Sequence, residues 1–220
     1  MAKKIKANYF NEDYWTKGNK SGYTVYSFFR GDHIHQEKAT LLNELYGPEK
    51  ILIAGCARGW TVDELSKLGV DSYGFDISKW AIKHSPESTN GRLVATDGMK
   101  ATTYNEGMFD VVASFEVAEH VHSSDVPVWL ANQYSWLGVG GKLFATICTG
   151  NNDVRGIEDN DESHQTLRDR EWWEERFNEA GFVWDQESFE KSKIIEVTTK
   201  ERRINIVGEM GWHVFTWSKP

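Results

Sequence analysis

The run Lys50–Ala54, KILIA, passes without interruption into Gly55-Cys56-Ala57-Arg58-Gly59, and no other stretch constrains the fold of this chain as tightly. Five residues with no polar alternation fit a strand covered on both faces, the environment of a parallel sheet. The glycines that follow allow a tight turn with the backbone exposed to a ligand, and the next residues are helical in pattern. Thr61–Leu68 carries Val62, Leu65 and Leu68 on one face, with Gly69 as a stop. A strand, a glycine turn and a helix N-terminus together form a site for a polar ligand, because the first helical N–H groups lack partners within the helix.

The same alternation continues downstream. A helix over His35–Tyr46 precedes the first strand and ends at Gly47-Pro48. After the glycine turn come a strand at Asp71–Phe75 closing on Asp76, a helix from Lys79, and strands at Arg92–Ala95 and Phe109–Phe115. A helix at Asp125–Leu137, a strand at Lys142–Cys148 and a helix at Arg170–Ala180 complete the run. Strands alternating with helices over this length predict an α/β fold, a parallel sheet with helices on both faces. The C-terminal part reads differently. Phe182–Gln186 and Trp212–Trp217 are strand-like, and the charged stretch Lys191–Gly211 between them carries no clear helix. That pattern predicts a closing hairpin with an antiparallel strand.

A chain of 220 residues is long enough for one substantial domain. Its 33 acidic and 25 basic residues give a net charge of −8, which disfavours a large nucleic-acid footprint. The two cysteines, Cys56 and Cys148, lie in apolar strand contexts and read as buried, reduced thiols. The lysine-bearing segment Met1–Asn8 is not followed by an apolar core of signal-peptide length, and no run reaches the length of a membrane span. A cytoplasmic protein is expected. The first 30 residues hold Tyr9, Phe10, Tyr14, Trp15, Tyr23, Tyr26, Phe28 and Phe29, and read as a cap on the domain. Tyr14, Trp15, Tyr23 and Tyr26 either line the entrance of a site or pack onto the first helix of the domain. His33 and His35 read as solvated linker residues, and Lys200–Arg203 as a wet charged face.

Spacing sharpens the nature of the ligand. The middle glycine of the dinucleotide fingerprint is replaced by Ala57, so close approach of a pyrophosphate is disfavoured and a ligand without phosphates fits better. Asp76 stands 21 residues after Gly55, where a carboxylate accepts hydrogen bonds from a ribose diol. Asp97-Gly98 follows the third strand, so three successive strand ends present groups to one crevice, and this pair is placed to hold an adenine edge.

The segments ILIAGCARG, YGFDIS, ATDG, FDVVASFEVAEHV and LGVGGKLFATI, in this order, resemble the class I S-adenosylmethionine-dependent methyltransferases over about residues 36–220. The resemblance implies a Rossmann-like, doubly wound sheet of seven strands, mostly parallel, with an antiparallel C-terminal strand. It also implies a cap segment over residues 1–35. In cofactor terms it implies Gly55, Ala57 and Gly59 beside the methionine part of S-adenosylmethionine, Asp76 on the ribose, Asp97 with Gly98 near the adenine and Phe115 near the sulfonium, with Cys56 and Ile77 as further cofactor-binding residues. One departure stands out: many members carry an acidic residue two positions before the first glycine, where this chain has Ile53. Anchoring of the methionine ammonium must then come from elsewhere or be weaker.

Beyond the fourth strand, Glu116, Glu119 and His120 are spaced as i, i+3 and i+4, so a helical turn there would place them on one face. His164 follows the fifth strand on the same side of the sheet and can join them. The segment resembles the Glu-x-x-Glu-His of ubiquinone-pathway O-methyltransferases and of small-RNA terminal 2′-O-methyltransferases, which implies metal ligands at Glu116, Glu119, His120 and His164 and a divalent cation such as Mg. The same string reads equally as capping carboxylates and a packed histidine. A hydroxyl acceptor must lose a proton, either to a histidine or through a cation that lowers its pKa, and His120 and His164 are the candidate catalytic residues. The favoured reading is methyl transfer to oxygen of a small-molecule or glycan acceptor by a monomer or homodimer. A nucleic-acid terminal methyltransferase and a catalytically silent binder of the cofactor are the alternatives, the former weakened by the charge.

Overall fold

Residues 4–17, 32–149, 161–195, 197–198, 203–204 and 214–220 are described by the structure, a computed structural model. The chain begins with α1 (Glu12–Lys17) and α2 (Asp32–Tyr46), followed by β1 (Lys50–Ala54), α3 (Trp60–Lys67), β2 (Asp71–Asp76) and α4 (Lys79–Lys83). Next come β3 (Leu93–Ala95), β4 (Phe109–Phe115), α5 (Val126–Trp136) and β5 (Leu137–Thr146). The last part holds α6 (Arg170–Glu179), β6 (Val183–Trp184), α7 (Gln186–Ile194), β7 (Val197–Thr198), β8 (Arg203–Ile204) and β9 (Val214–Ser218).

Seven strands form one sheet in the order β3-β2-β1-β4-β5-β9-β6, with β7 and β8 pairing separately. The strands β3 to β5 are mutually parallel, and β9 runs antiparallel to both β5 and β6. This is the doubly wound, Rossmann-like sheet expected from the alternation, with the antiparallel strand at its C-terminal side. The apolar run of β1 is explained by its two faces. Leu52 and Ala54 join a core with Trp129, Trp136, Trp173, Phe177 and Trp217, whereas Ile51 and Ile53 face Leu42, Val62, Leu65 and Phe144 on the other side. Alternate side chains of one strand thus serve two helical layers, so neither set is polar.

Three boundaries differ from the sequence reading. The fifth strand starts at Leu137, directly at the end of α5, and not at Lys142. Gly141 sits where a side chain would press on the carbonyl of Gly138 and on Leu137, so the glycines of this segment read as a break although the strand runs through them. The second difference is α7, a nine-residue helix inside the region read as having none. Asp185 caps it by accepting from Ser188 N at 3.0 Å, yet its buried face is built from Ser188 and Ser192, so no apolar stripe marks it. Third, the strand read at Phe182–Gln186 shrinks to two residues, and β9 inserts between β5 and β6. The part of the Trp212–Trp217 strand before Val214 lies outside the described residues, as do Tyr23, Tyr26, Phe28 and Phe29.

Candidate functional site

The order reverses between β1 and β4, with β2 on one side of β1 and β4 on the other, so the connections that leave β1 and β4 diverge and open a crevice at the carboxyl ends of the strands. A cavity of about 350 Å³ opens there. Its floor is the glycine turn. Gly55 has φ +69°, and a Cβ on it would run into the methyls of Val117. Gly59, at φ +77°, begins α3 and leaves 2.5 Å between a would-be Cβ and Leu93 Cδ1. Both glycines are therefore required by a left-handed backbone and by close packing. The turn closes through Cys56 N to Phe75 O and Gly59 N to Cys56 O, each 2.8 Å.

Asp76 is the charged group of that floor. Ala57 N donates to its Oδ2 and Ser78 N to its Oδ1, both at 2.8 Å, which fixes the carboxylate and leaves one lone pair on each oxygen for two further donors. Burial raises its pKa from 3.8 to about 6, against the two backbone N–H bonds that lower it. Ile77, Asp97 and Phe115 also line the cavity, together with Gly55 and Ala57. Asp97 is exposed and accepts from Met99 N at 3.1 Å. Gly98 is turned inward instead, its N–H toward Thr96 Oγ1 at 3.3 Å and its α-carbon packed against Phe75 and Trp129. Cys56 is buried beside Gly74 with its thiol pushed well up by burial, and Cys148 is likewise free of any disulfide.

A cap segment closes one side. Phe10, Tyr14 and Trp15 pack with Ala57 and Ala81, that is, against the glycine turn and α4 rather than against α2. Trp15 Nε1 donates to Ser78 Oγ at 2.9 Å and to Phe10 O at 3.1 Å. Ser78 lies two residues beyond Asp76, so the cap is tied to the strand end that carries the acidic group. Further along, Ile5 N donates to Gln165 Oε1 at 2.7 Å, and the Phe10 ring meets the edge of His120 with centroids 6.0 Å apart. The second wall comes from α2. His35, read as a solvated linker residue, lies on this helix, lines the cavity and pairs through Nδ1 with Thr61 Oγ1 at 2.9 Å. Burial, then the nearby Lys38 charge, depresses its pKa to about 3, so it is a neutral imidazole. Lys38, one turn on, places Nζ 4.6 Å above the Phe115 ring, and burial lowers its pKa to about 8.

The segment after β4 does not form the helical turn read from its spacing. Glu116 takes φ +55°, Val117 takes φ −132° and ψ −41°, and only Ala118–His120 makes a short 3-10 turn. Glu116 is held in that strained state by its N–H to Thr146 O at 2.9 Å and Oγ1 at 3.1 Å, and its buried Oε1 has no partner other than the neighbouring Glu119 carboxyl. Glu119 is fully buried. Its Oε1 accepts from Cys148 N at 3.3 Å, and burial followed by the Glu116 charge raises its pKa well above the ordinary carboxylate value. The residue also anchors the downstream loop, its backbone carbonyl accepting from Gln165 N and Thr166 N.

That anchoring brings His164 beside His120, with ring centroids 4.6 Å apart. Ligand atoms of Glu119, His120 and His164 all lie within 4.8 Å of one another, and Glu116 is not part of this group. Ser163 Oγ lies 2.5 Å from Asp161 Oδ1 and 2.9 Å from His120 Nδ1. Its single proton goes to the carboxylate, so it accepts from Nδ1–H and the imidazole lone pair falls on Nε2. Of the four residues, Glu116 and His120 line the cavity. Sequence reasoning missed Lys38, Ser78 and Gln165. Ser78 alone had a signal available, as an N-cap directly after the strand-ending aspartate.

Residues 28–191 match a family model described as a methyltransferase domain. Among solved structures, an S-adenosylmethionine-dependent methyltransferase from Archaeoglobus fulgidus is similar at 15% identity and TM-score 0.59, covering 88% of this chain and 99% of that one. A complex of the Haloferax volcanii Trm112 methyltransferase activator with a methyltransferase gives 14% identity and TM-score 0.62, over 88% and 93%. The 1,6-didemethyltoxoflavin-N1-methyltransferase of Burkholderia thailandensis, solved with that compound and S-adenosylhomocysteine, gives 17% identity and TM-score 0.59, over 88% and 81%. A search of curated proteins finds no match. Among the described residues no helix is long and apolar enough to cross a membrane.

Proposed function

Because the chain belongs to the methyltransferase-domain family, the class I S-adenosylmethionine-dependent methyltransferases, we propose that it methylates a hydroxyl oxygen of a small-molecule or glycan acceptor, with His120 taking the proton. The observation that carries this reading is the shared cavity: Asp76 and the glycine turn at one end, and at the other an imidazole whose Nε2 lone pair is set by Ser163 and Asp161. Bound S-adenosylmethionine supplies an electrophilic methyl, so the chain's own work is alignment, exclusion of water and removal of one proton. Asp76 orients the ribose, the glycine turn seats the amino-acid part, and Phe115 flanks the reacting centre. The cap, tied down through Trp15 and Ser78, shields it from water.

The donor set of Glu119, His120 and His164 fits a divalent cation: three ligand atoms converge, and Glu119 Oε2 is buried without a hydrogen-bond partner. One carboxylate and two imidazoles suit a first-row transition ion better than Mg, which favours oxygen ligands. Such a cation would supply Lewis acidity toward the acceptor oxygen. With the cation bound, His120 Nε2 would be a ligand, oriented by the Ser163 contact, and the cation would take over from the imidazole the task of lowering the acceptor's pKa.

Formation of S-adenosylhomocysteine against parallel panels of phenols, sugars and amines tests the proposal. Turnover on a hydroxyl panel, reduced by about 10²-fold or more in His120→Gln with S-adenosylhomocysteine binding kept, is the expected result. Turnover on amines alone, or His120→Gln at wild-type rate, refutes it. In the same assay, prior chelation followed by Mn or Mg addition separates the cation from the imidazole as the agent of deprotonation.

A further inference from the structure

Ile53 leaves β1 without a charge where the amino-acid end of the cofactor would lie. The residue is 3% exposed and belongs to the apolar core with Ile51, Val111 and Ala113. An α-amino acid end brings a cation and an anion together, and neither enters a largely apolar cavity without a counter-charge. The ribose end is served by Asp76, so the two missing charges must come from the opposite end.

Two side chains stand there. Glu116 directly follows β4, which pairs with β1 through Ala54 and Ser114, and the next residue, Val117, packs against Gly55. The left-handed Glu116 backbone, at φ +55° in a non-glycine residue, departs from the strand course; the residue lines the cavity, and its buried Oε1 meets no partner other than the Glu119 carboxyl. Such strain persists only where surrounding contacts hold it, as the two bonds to Thr146 do here. Lys38 faces it from α2. The preceding turn of that helix is fixed by His35 on Thr61, at the start of α3, which aims the same face at the glycine turn. Lys38 Nζ lies above Phe115, and Glu116 is the opposite charge it senses. A cation and an anion thus flank the end of the cavity above Gly55.

We propose that Glu116 receives the α-ammonium and Lys38 the α-carboxylate of the cofactor, so that β4 and α2 together replace the charge that β1 lacks. This rests on the S-adenosylmethionine reading and adds to it the residues that distinguish the cofactor from a bare thioadenosine. Lys38 then belongs to cofactor binding, and an anionic group on the acceptor has no claim on it.

Calorimetric titration with two ligands tests this assignment. S-adenosylhomocysteine carries the amino-acid end, and 5′-methylthioadenosine has the same adenosyl thioether without it. Wild-type protein should bind the first more tightly. Lys38→Met and Glu116→Gln should each weaken S-adenosylhomocysteine by about 10-fold or more, the scale of a lost charge-assisted hydrogen bond. Both should leave 5′-methylthioadenosine within about twofold, which also certifies that the variants are folded. Lys38→Arg, which keeps the charge, should retain most of the preference. Equal wild-type affinity for the two ligands overturns the proposal. So does either variant that binds S-adenosylhomocysteine normally, or that weakens both ligands alike. Failure of wild-type protein to bind either ligand sinks the cofactor reading itself.

Discussion

At the scale of single residues, Asp76 decides how the site responds to acid. The buried carboxyl is raised to about 6, so its proton arrives well above the pH at which an unfolded aspartate, near 3.8, takes one up. Two opposite effects follow over that window. The ionised form is disfavoured in the folded protein, so conformational stability of the ligand-free protein gains as pH falls through 6 toward 4. The ribose, in contrast, needs an acceptor on both oxygens, so affinity for S-adenosylhomocysteine should fall by up to about tenfold per pH unit below 6. Calorimetry between pH 5 and 8 checks this, and Asp76→Asn should flatten the profile at low affinity throughout. Asp76 was legible in the sequence because a strand must end on it at a fixed distance from the glycine turn. Lys38 was not, since a lysine on an amphipathic helix reads as solvated, and only the fold shows that its face of α2 meets the crevice.

Among the elements, the α1 cap depends on a few polar bonds. Trp15→Phe keeps the ring in the Phe10–Tyr14 cluster but removes the Nε1–H that holds Ser78 and the Phe10 carbonyl. That loss amounts to about 1 kcal/mol, or roughly a fivefold weakening of S-adenosylhomocysteine binding, with the melting temperature moved by only a few degrees. Titration and thermal unfolding of the same variant check it; a large stability loss with unchanged affinity would show that the cap props the fold rather than the site. The elements that carried a period were legible: β1 by its unbroken apolar run and α3 by Val62 and Leu65. Helix α7 was not, because serines at i and i+4 form its buried face against α2, where Lys191 Nζ reaches Leu45 O at 2.9 Å. Small polar residues permit close approach of helices without leaving an apolar stripe. The turn after β4 escaped for another reason: residues spaced i, i+3 and i+4 share a face only if the backbone is helical from the first of them, and Glu116 is left-handed.

For the whole molecule, the sheet order places the site and the aromatic core holds the order. Trp217 of β9 is 1% exposed and stacks on Phe177 with centroids 5.0 Å apart, so the antiparallel strand is locked under α6. Trp217→Ala should cost about 3–5 kcal/mol in urea unfolding, the range for removing a large buried aromatic. The cofactor crevice, formed by β1, β2 and β4 on the other side of β5, should survive in whatever fraction remains folded. What positions the chemistry is the reversal of strand order at β1 and β4, and the ligand that fills the crevice there is the central claim. A crystal structure of the complex with S-adenosylhomocysteine measures that claim directly. Both ribose hydroxyls should lie within hydrogen-bond distance of the two Asp76 carboxylate oxygens, with the amino-acid end over Gly55 and the sulfur near Phe115. An adenosyl group bound elsewhere, or a ribose facing away from Asp76, would contradict it.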